Sequence, residues 1–337
     1  MNKKTLLIYI LVILFLIIVT SLFSLTHGLL EISIIDAVKI LLRKVSYVDN
    51  TVLVIKYIRF PRIVVSCIAG SGLAASGCVF QSILKNPLAD SFTLGISAGS
   101  VFGVAVALIS GIEFSSVGFL TIPIFAFLGA MISVLIVYFI GIYKDFNSNK
   151  MILSGVFVNY IFSSIVILMF ILSPINNVQF AFGWLIGSLS QFDEKLIPYI
   201  AFIVLLGIII LSLLGNIINV LSLDESKIKT LGINVEKNVK FFFIITSFIT
   251  ATTVSLCGII GFIGFLIPNM VKKIVGNNNQ ILIPSCAFTG AFFLLLSDTL
   301  SRIIFTSILI PVGVITNIIG GFFFLFLQFF RSKKNIL

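Results

Sequence analysis

From Ile63 to Leu84 the chain runs 22 residues without a charged side chain. That is the length an α-helix needs to cross the hydrocarbon of a bilayer. Similar runs recur along all 337 residues, so the chain is read as folding inside a membrane. Composition agrees: 59% of residues are hydrophobic and 10% charged, against about a quarter charged in a soluble domain. Mean hydropathy is +1.23, which leaves no room for a soluble catalytic or nucleotide-binding domain. A transmembrane barrel needs short strands with alternating faces, and these runs are continuous. The expected fold is an all-α, polytopic membrane protein, a single transmembrane domain over residues 1–337.

About ten spans are predicted. They are Thr5–Leu25, Ile63–Leu84, Leu94–Ser110, Val117–Ile142, Met151–Leu172, Leu196–Val220 and Phe241–Leu256, then a short glycine-rich span closed by Pro268, then Ile281–Phe305 and Val314–Phe330. The first follows Lys3 and Lys4 and has no Ala-x-Ala site after it, so it reads as an uncleaved helix rather than a signal peptide. Ile32, Ile35, Val38 and Leu42 predict the apolar face of a short amphipathic helix in the first loop. Trp184 lies in a less apolar stretch, expected to sit flat or half-inserted at the interface. Residues 221–240 form the longest polar segment, read as two short helices parted near Gly232.

With both ends on the cytoplasmic side, fourteen of the 22 lysines and arginines fall inside and eight outside. That bias supports the orientation. The basic cluster of the first outer loop, Lys39, Arg43, Lys44, Lys56, Arg59 and Arg62, is an exception that suggests a partner there. The basic residues are scattered through short loops, without the aromatic-basic patch of a nucleic-acid binder. Cys67, Cys78, Cys257 and Cys286 lie within spans without paired spacing, as free buried thiols do. His27 is the only histidine and reads as an interfacial residue.

Small residues punctuate the spans. Gly95, Gly99 and Gly103 repeat at intervals of four, so they share one helix face. With Gly258, Gly261 and Gly264 they are expected to let helices pack closely. Lys85, Asn86 and Pro87 stop the second span, because proline disfavours a helical Asn86.

No catalytic constellation is present. Asp298 and Arg302 are four apart within one span, hence on one face, and such a pair is either functional or mutually compensating. Asn159, Ser163, Ser164, Thr316 and Asn317 fit two uses, lining a path or bonding between helices. No chain of carboxylates crosses the membrane, which weakens an ion-coupled mechanism.

Seven stretches carry a resemblance: RFPR at 59–62, GSGLAASGCVFQSILKNPLADSFTLGISAGS at 70–100, FGWLIGSLS at 182–190, LSLDESKIKTLGINV at 221–235, GIIGFIGFLIPNMVKK at 258–273, SDTLSR at 297–302 and PVGVITNIIGGFFF at 311–324. Over nearly its whole length the chain resembles the FecCD-type permeases, the membrane subunits of ABC importers for iron-siderophores, haem and cobalamin. The resemblance implies a ten-helix permease in a bacterial inner membrane, with no enzyme activity or cofactor of its own. Its implied partners are a second permease subunit, two ATPase subunits and an extracytoplasmic binding protein. The rival reading is an ion-coupled secondary transporter of a small organic solute.

By the same resemblance, Arg59, Arg62 and Arg302 dock the binding protein. Asn86 and Leu88, with Ser148 and Asn149, form the cytoplasmic gate. The ATPase is met by the segment 221–235, through Leu221, Ser222, Leu223, Asp224, Glu225, Lys227, Leu231 and Gly232. The chain departs from the family pattern at Asp224, where a Gly is frequent, and at four further positions. Asn269 and Lys272 stand where Pro-His-x-x-Arg is usual, Leu309 replaces a Glu, and Phe322 replaces a Pro. Asn269 hydrogen-bonds but does not titrate, and Lys272 keeps a charge without the planar fork of arginine.

Overall fold

The computed structural model describes residues 3–28, 30–42, 50–111, 120–142, 147–173, 181–189, 193–223, 227–228, 232–304 and 310–334. Among them no strand occurs and helices fall in every expected span, with Leu196–Val220 broken into two at Leu214 and the glycine run at 258–262 left non-helical. The order is α1 (Lys3–Thr26), α2 (Ile34–Leu41), α3 (Asn50–Ile83), α4 (Ile96–Ser110), α5 (Thr121–Ile142), α6 (Ser148–Ile171), α7 (Ile197–Leu213), α8 (Gly215–Leu221), α9 (Val235–Cys257), α10 (Ile263–Val275), α11 (Asn279–Ile303) and α12 (Val312–Lys334). Seven are long and apolar enough to cross a membrane. Helix α4 has 15 residues and α10 has 13. At 1.5 Å per residue each is about 20 Å long, short of the ~30 Å hydrocarbon. Irregular backbone precedes each of them. At membrane depth such backbone must be sealed by protein or line a cavity. Residues 258–262 satisfy this, since most are buried and Ile259 faces a cavity.

Helix α3 is the centre of the fold and contacts α7, α9, α10 and α11. Its small residues decide this. A Cβ on Gly70 would lie 2.2 Å from the Gly290 oxygen, and one on Gly290 would lie 2.3 Å from the Gly70 oxygen, so α3 and α11 cross with backbones touching. Gly77 meets α10 in the same way at Gly264. A second group, α4, α5 and α6, leans on the first through α9. There Gly99 and Gly103 of α4 face the Gly129 and Phe125 carbonyls of α5. Gly95 caps α4 at φ 78°. Elsewhere large apolar side chains point outward, among them Leu11 and Phe15 of α1 and Phe157 and Ile161 of α6.

Four local expectations are corrected. Arg59 and Arg62 lie inside α3, not before it. Pro61 has no N–H to give, and the helix passes it through a wide π turn over Val54–Arg59, where the Phe60 N–H reaches the Ile55 oxygen. Pro268 lies within α10 rather than closing it, and the glycine run is the break before that helix. Trp184 is buried rather than interfacial. Its backbone is gripped at Gly258, where a Cβ would lie 2.2 Å from the Trp184 oxygen, and Ser188 donates to the Cys257 oxygen at 3.1 Å. Helix α2 forms as expected but buries Ala37 and Ile40, while Ile35, Val38 and Leu42 face outward.

Candidate functional site

Three features stand out: a charged cluster between α3 and α11, a cavity beside α4 and α6, and a bonded turn between α3 and α4. The cavity measures about 710 Å³ and lies between α4, α6, the segment 181–186 and α12. Phe92, Phe170 and Phe182 form much of its wall, and Ser97, Asn159, Ser163 and Asn317 supply polar groups. Asn159 Nδ2 donates to the Phe92 carbonyl, fixing α6 against the turn before α4. Of the five polar residues picked out within the spans, three line this cavity. Ser164 and Thr316 instead bond carbonyls of their own helices, at 2.8 and 3.0 Å.

The turn between α3 and α4 is built from its own side chains. Asn86 Oδ1 accepts the Leu88 N–H at 2.8 Å. Thr93 N donates to Asp90 Oδ1 at 2.9 Å, and Asp90 N donates to Thr93 Oγ1 at 2.9 Å. Burial pushes the Asp90 carboxyl above its ordinary range, and the Thr93 and Phe92 hydrogen bonds oppose that shift. Asn269 of α10 donates to the Pro87 oxygen at 3.1 Å, so the position lacking a histidine still ties α10 to the turn. Leu88 is exposed. Asn147 caps α6 by accepting from Asn149 and Lys150, which leaves Ser148 half-buried and Asn149 exposed. Among the described residues no hydrogen bond joins Asn86 or Leu88 to Ser148 or Asn149.

Between α3 and α11, Arg62 Nε donates to Asp298 Oδ1 at 2.7 Å, and Arg302 Nε lies 3.3 Å from Asp298 Oδ2. Arg302 also donates to Ser24 of α1. Arg59 donates to the Leu25 carbonyl in the last turn of α1 and to the Leu30 carbonyl of the loop after it. The three arginines expected to face a partner are therefore brought together and internally bonded, Arg59 and Arg62 buried and Arg302 partly so. Two cations share one carboxylate in this cluster.

Of the segment expected to meet an ATPase, Asp224, Glu225 and Leu231 lie outside the described residues, as does Leu309. Leu221 is buried at the end of α8. Ser222 Oγ lies 3.4 Å from the Ser82 oxygen, and Lys85 Nζ donates to the Leu223 carbonyl. Lys227 is exposed, and Gly232 adopts φ 69° with open space around it.

The sequence matches the family described as the FecCD transport family over residues 15–329. The chain belongs to the FecCD transport family. Among curated members, it is 33% identical to the Fe(3+)-citrate import system permease protein YfmE of Bacillus subtilis (strain 168), over 99% of this chain and 98% of that one. It is also 33% identical to the cobalamin import system permease protein BtuC of Halobacterium salinarum, over 86% of this chain and 76% of that one. Among solved structures, an inward-facing metal-chelate type ABC transporter superposes with a TM-score of 0.83 at 26% identity, covering 96% of this chain and 99% of that chain.

In this FecCD-family chain three asparagines at the inner end were not singled out from the sequence: Asn219, Asn278 and Asn279. Their signal was present as the run GNNNQ at 276–280. A polar turn between spans is ordinary, however, and nothing in the run points to Asn219.

Proposed function

We propose that the chain is the membrane-spanning permease of an ATP-driven importer for an iron chelate, haem or a corrinoid. Family membership across residues 15–329 carries this reading, and the cavity between α4, α6 and α12 supports it. In this reading the cavity wall is one side of a path completed by a second permease subunit. The path opens alternately to the two sides of the membrane as ATPase partners bind and hydrolyse ATP. Both chain ends face the cytoplasm of a bacterial cell, and the protein sits in the inner membrane. Residues 1–337 act as one permease domain, with 221–235 pressed against the ATPase.

Asn86, Leu88, Ser148 and Asn149 close the inner mouth against their counterparts across the path. An extracytoplasmic binding protein docks over the outer ends of α3 and α11. Arg59, Arg62 and Arg302 either turn outward to meet its carboxylates or hold the surface it lands on. Charge-assisted pairs of that kind are directional and salt-sensitive, as reversible docking requires.

The test is uptake into cells carrying the permease with an ATPase inactivated by substitution. Accumulation stops under this proposal. Accumulation that continues on a proton gradient alone would instead make the chain an ion-coupled transporter.

A further inference from the structure

The short helix α8 leads into the segment 221–235, and it is held at both ends. At its start, Gly215 allows backbone contact with α11: a Cβ there would lie 2.6 Å from Gln280 N and 2.8 Å from Gln280 Cα. One turn later Asn219 spans the gap with its whole amide. Its Nδ2 donates to Asn278 Oδ1 at 2.9 Å. Its Oδ1 accepts from Asn279 N at 2.7 Å and from Asn279 Nδ2 at 2.9 Å.

Asn279 is 2% exposed, and its remaining oxygen faces α3. Ser82 Oγ lies 3.0 Å from Asn279 Oδ1 and 2.9 Å from the Cys78 carbonyl, so its single proton is shared between them. Lys85 completes the circuit, reaching from the end of α3 to the Leu223 carbonyl after α8, while Ser222 Oγ lies 3.4 Å from the Ser82 oxygen and 2.9 Å from the Ile218 carbonyl of its own helix. The amides of Asn219 and Asn279 are nearly saturated; Asn219 is half-buried and Asn278 exposed, but Asn279 is buried, and a buried polar group so bonded resists separation from its partners. The ends of α3, α8 and α11 are therefore one body at the inner face. The end of α3 runs directly into the turn that holds Asn86 and Leu88.

We propose that the Asn219–Asn278–Asn279 amide junction, braced by Lys85 on the Leu223 carbonyl, is the joint through which movement of the segment 221–235 reaches the inner turn. The proposal rests on the transport reading above. These are positioning residues: they touch neither cargo nor nucleotide, and they make the coupling segment and the turn move together. An opened joint lets the ATPase cycle without carrying the turn along.

The experiment reconstitutes the permease with its ATPase and binding protein in proteoliposomes and measures uptake per ATP hydrolysed. Radio-iron as ferric citrate and as a ferric hydroxamate, haem and cyanocobalamin are the probes, run in parallel. Asn219→Leu removes three hydrogen bonds at once, and Lys85→Met removes the brace from an exposed position. Both variants are expected to keep ATPase association and ATP hydrolysis while uptake per ATP falls, roughly threefold to thirtyfold for Asn219→Leu and less for Lys85→Met. Asn278→Asp keeps the oxygen that accepts from Asn219 and Gln280, and it retains coupling where Asn278→Ala does not. Unchanged uptake per ATP in both Asn219→Leu and Lys85→Met overturns the joint. So does a loss of uptake that only follows a loss of bound ATPase. If Asn219→Leu does not accumulate, Lys85→Met and the Asn278 pair decide. If the wild-type assembly takes up none of the probes, it is the transport reading that has failed.

Discussion

Arg62 and Asp298 stand 236 residues apart in sequence and meet at 2.7 Å, joining the outer parts of α3 and α11. Asp298 is fully buried and is the carboxylate between Arg62 and Arg302. Removing one partner of a buried pair leaves an uncompensated charge, at a cost of about 3–5 kcal/mol. Asp298→Ala strands two cations, so it is expected to lower the melting temperature and membrane yield more than Arg302→Met does. Equal melting temperatures for the two variants in the same detergent would show that the carboxylate is not the keystone of the cluster.

Glycines in α3 and α12 should answer differently to the same change. A Cβ on Gly77 would lie 1.9 Å from the Gly264 oxygen, whereas nothing lies within 4 Å of one on Gly321. Gly77→Ala must force α3 from α10 and is expected to cost about 1–3 kcal/mol or more. Gly321→Ala is expected to be neutral, or stabilising by up to about 1 kcal/mol through helix propensity. Thermal denaturation of the two variants side by side checks the contrast.

The raised Asp90 carboxyl gives stability a pH dependence. Between its ordinary value and its raised value, the folded state binds more protons than the unfolded one. Stability from this residue is thus full at low pH and is lost as pH rises through the folded-state value. Asp90→Asn keeps the oxygen that accepts from Thr93 and removes the titration. The wild type is expected to melt lower as pH rises from just above about 3.9 to about 8, with Asp90→Asn flatter over the same range. Parallel curves would assign the slope to other groups.

Gly232 sits at φ 69°, where a β-branched side chain is strongly disfavoured. Gly232→Val is expected to deform the segment 221–235 and abolish co-purification of the ATPase, while permease yield stays unchanged. Gly232→Asn, which tolerates that region, should retain the ATPase. Retained ATPase in the valine variant would place the contact elsewhere.

Docking at the outer face is expected to be electrostatic. Replacing Arg59 and Arg62 together by Glu should weaken capture of the binding protein, most visibly at low salt where screening is least. Affinity unchanged at low salt in a folded variant would remove the arginines from that role.

Run length made most of the helices legible in the sequence, and the proline stop at Pro87 held while that at Pro268 did not. Helix length is a local property, and so is the end of α3 at Ile83, just before Lys85, Asn86 and Pro87. Facing was harder to read. Ile35, Val38 and Leu42 look like a buried stripe, yet they point outward, because in a membrane an apolar face does not by itself say whether it meets protein or lipid. Trp184 looks interfacial by type, but its burial follows from a glycine 74 residues away. The site divides in the same way. Asp298 with Arg302 is visible at a spacing of four, while the link to Arg62 and the asparagine junction are long-range meetings with no sequence period.

Gly70 and Gly290 press against each other's carbonyl oxygens, and this has a consequence for the history of the chain. Neither position can gain even a methyl group while the helices keep their distance, and changing one does nothing to free the other. The two codons are therefore yoked. A lineage can leave glycine at either position only after α3 and α11 have slid or parted, which would have to be accommodated across the whole inner bundle at once.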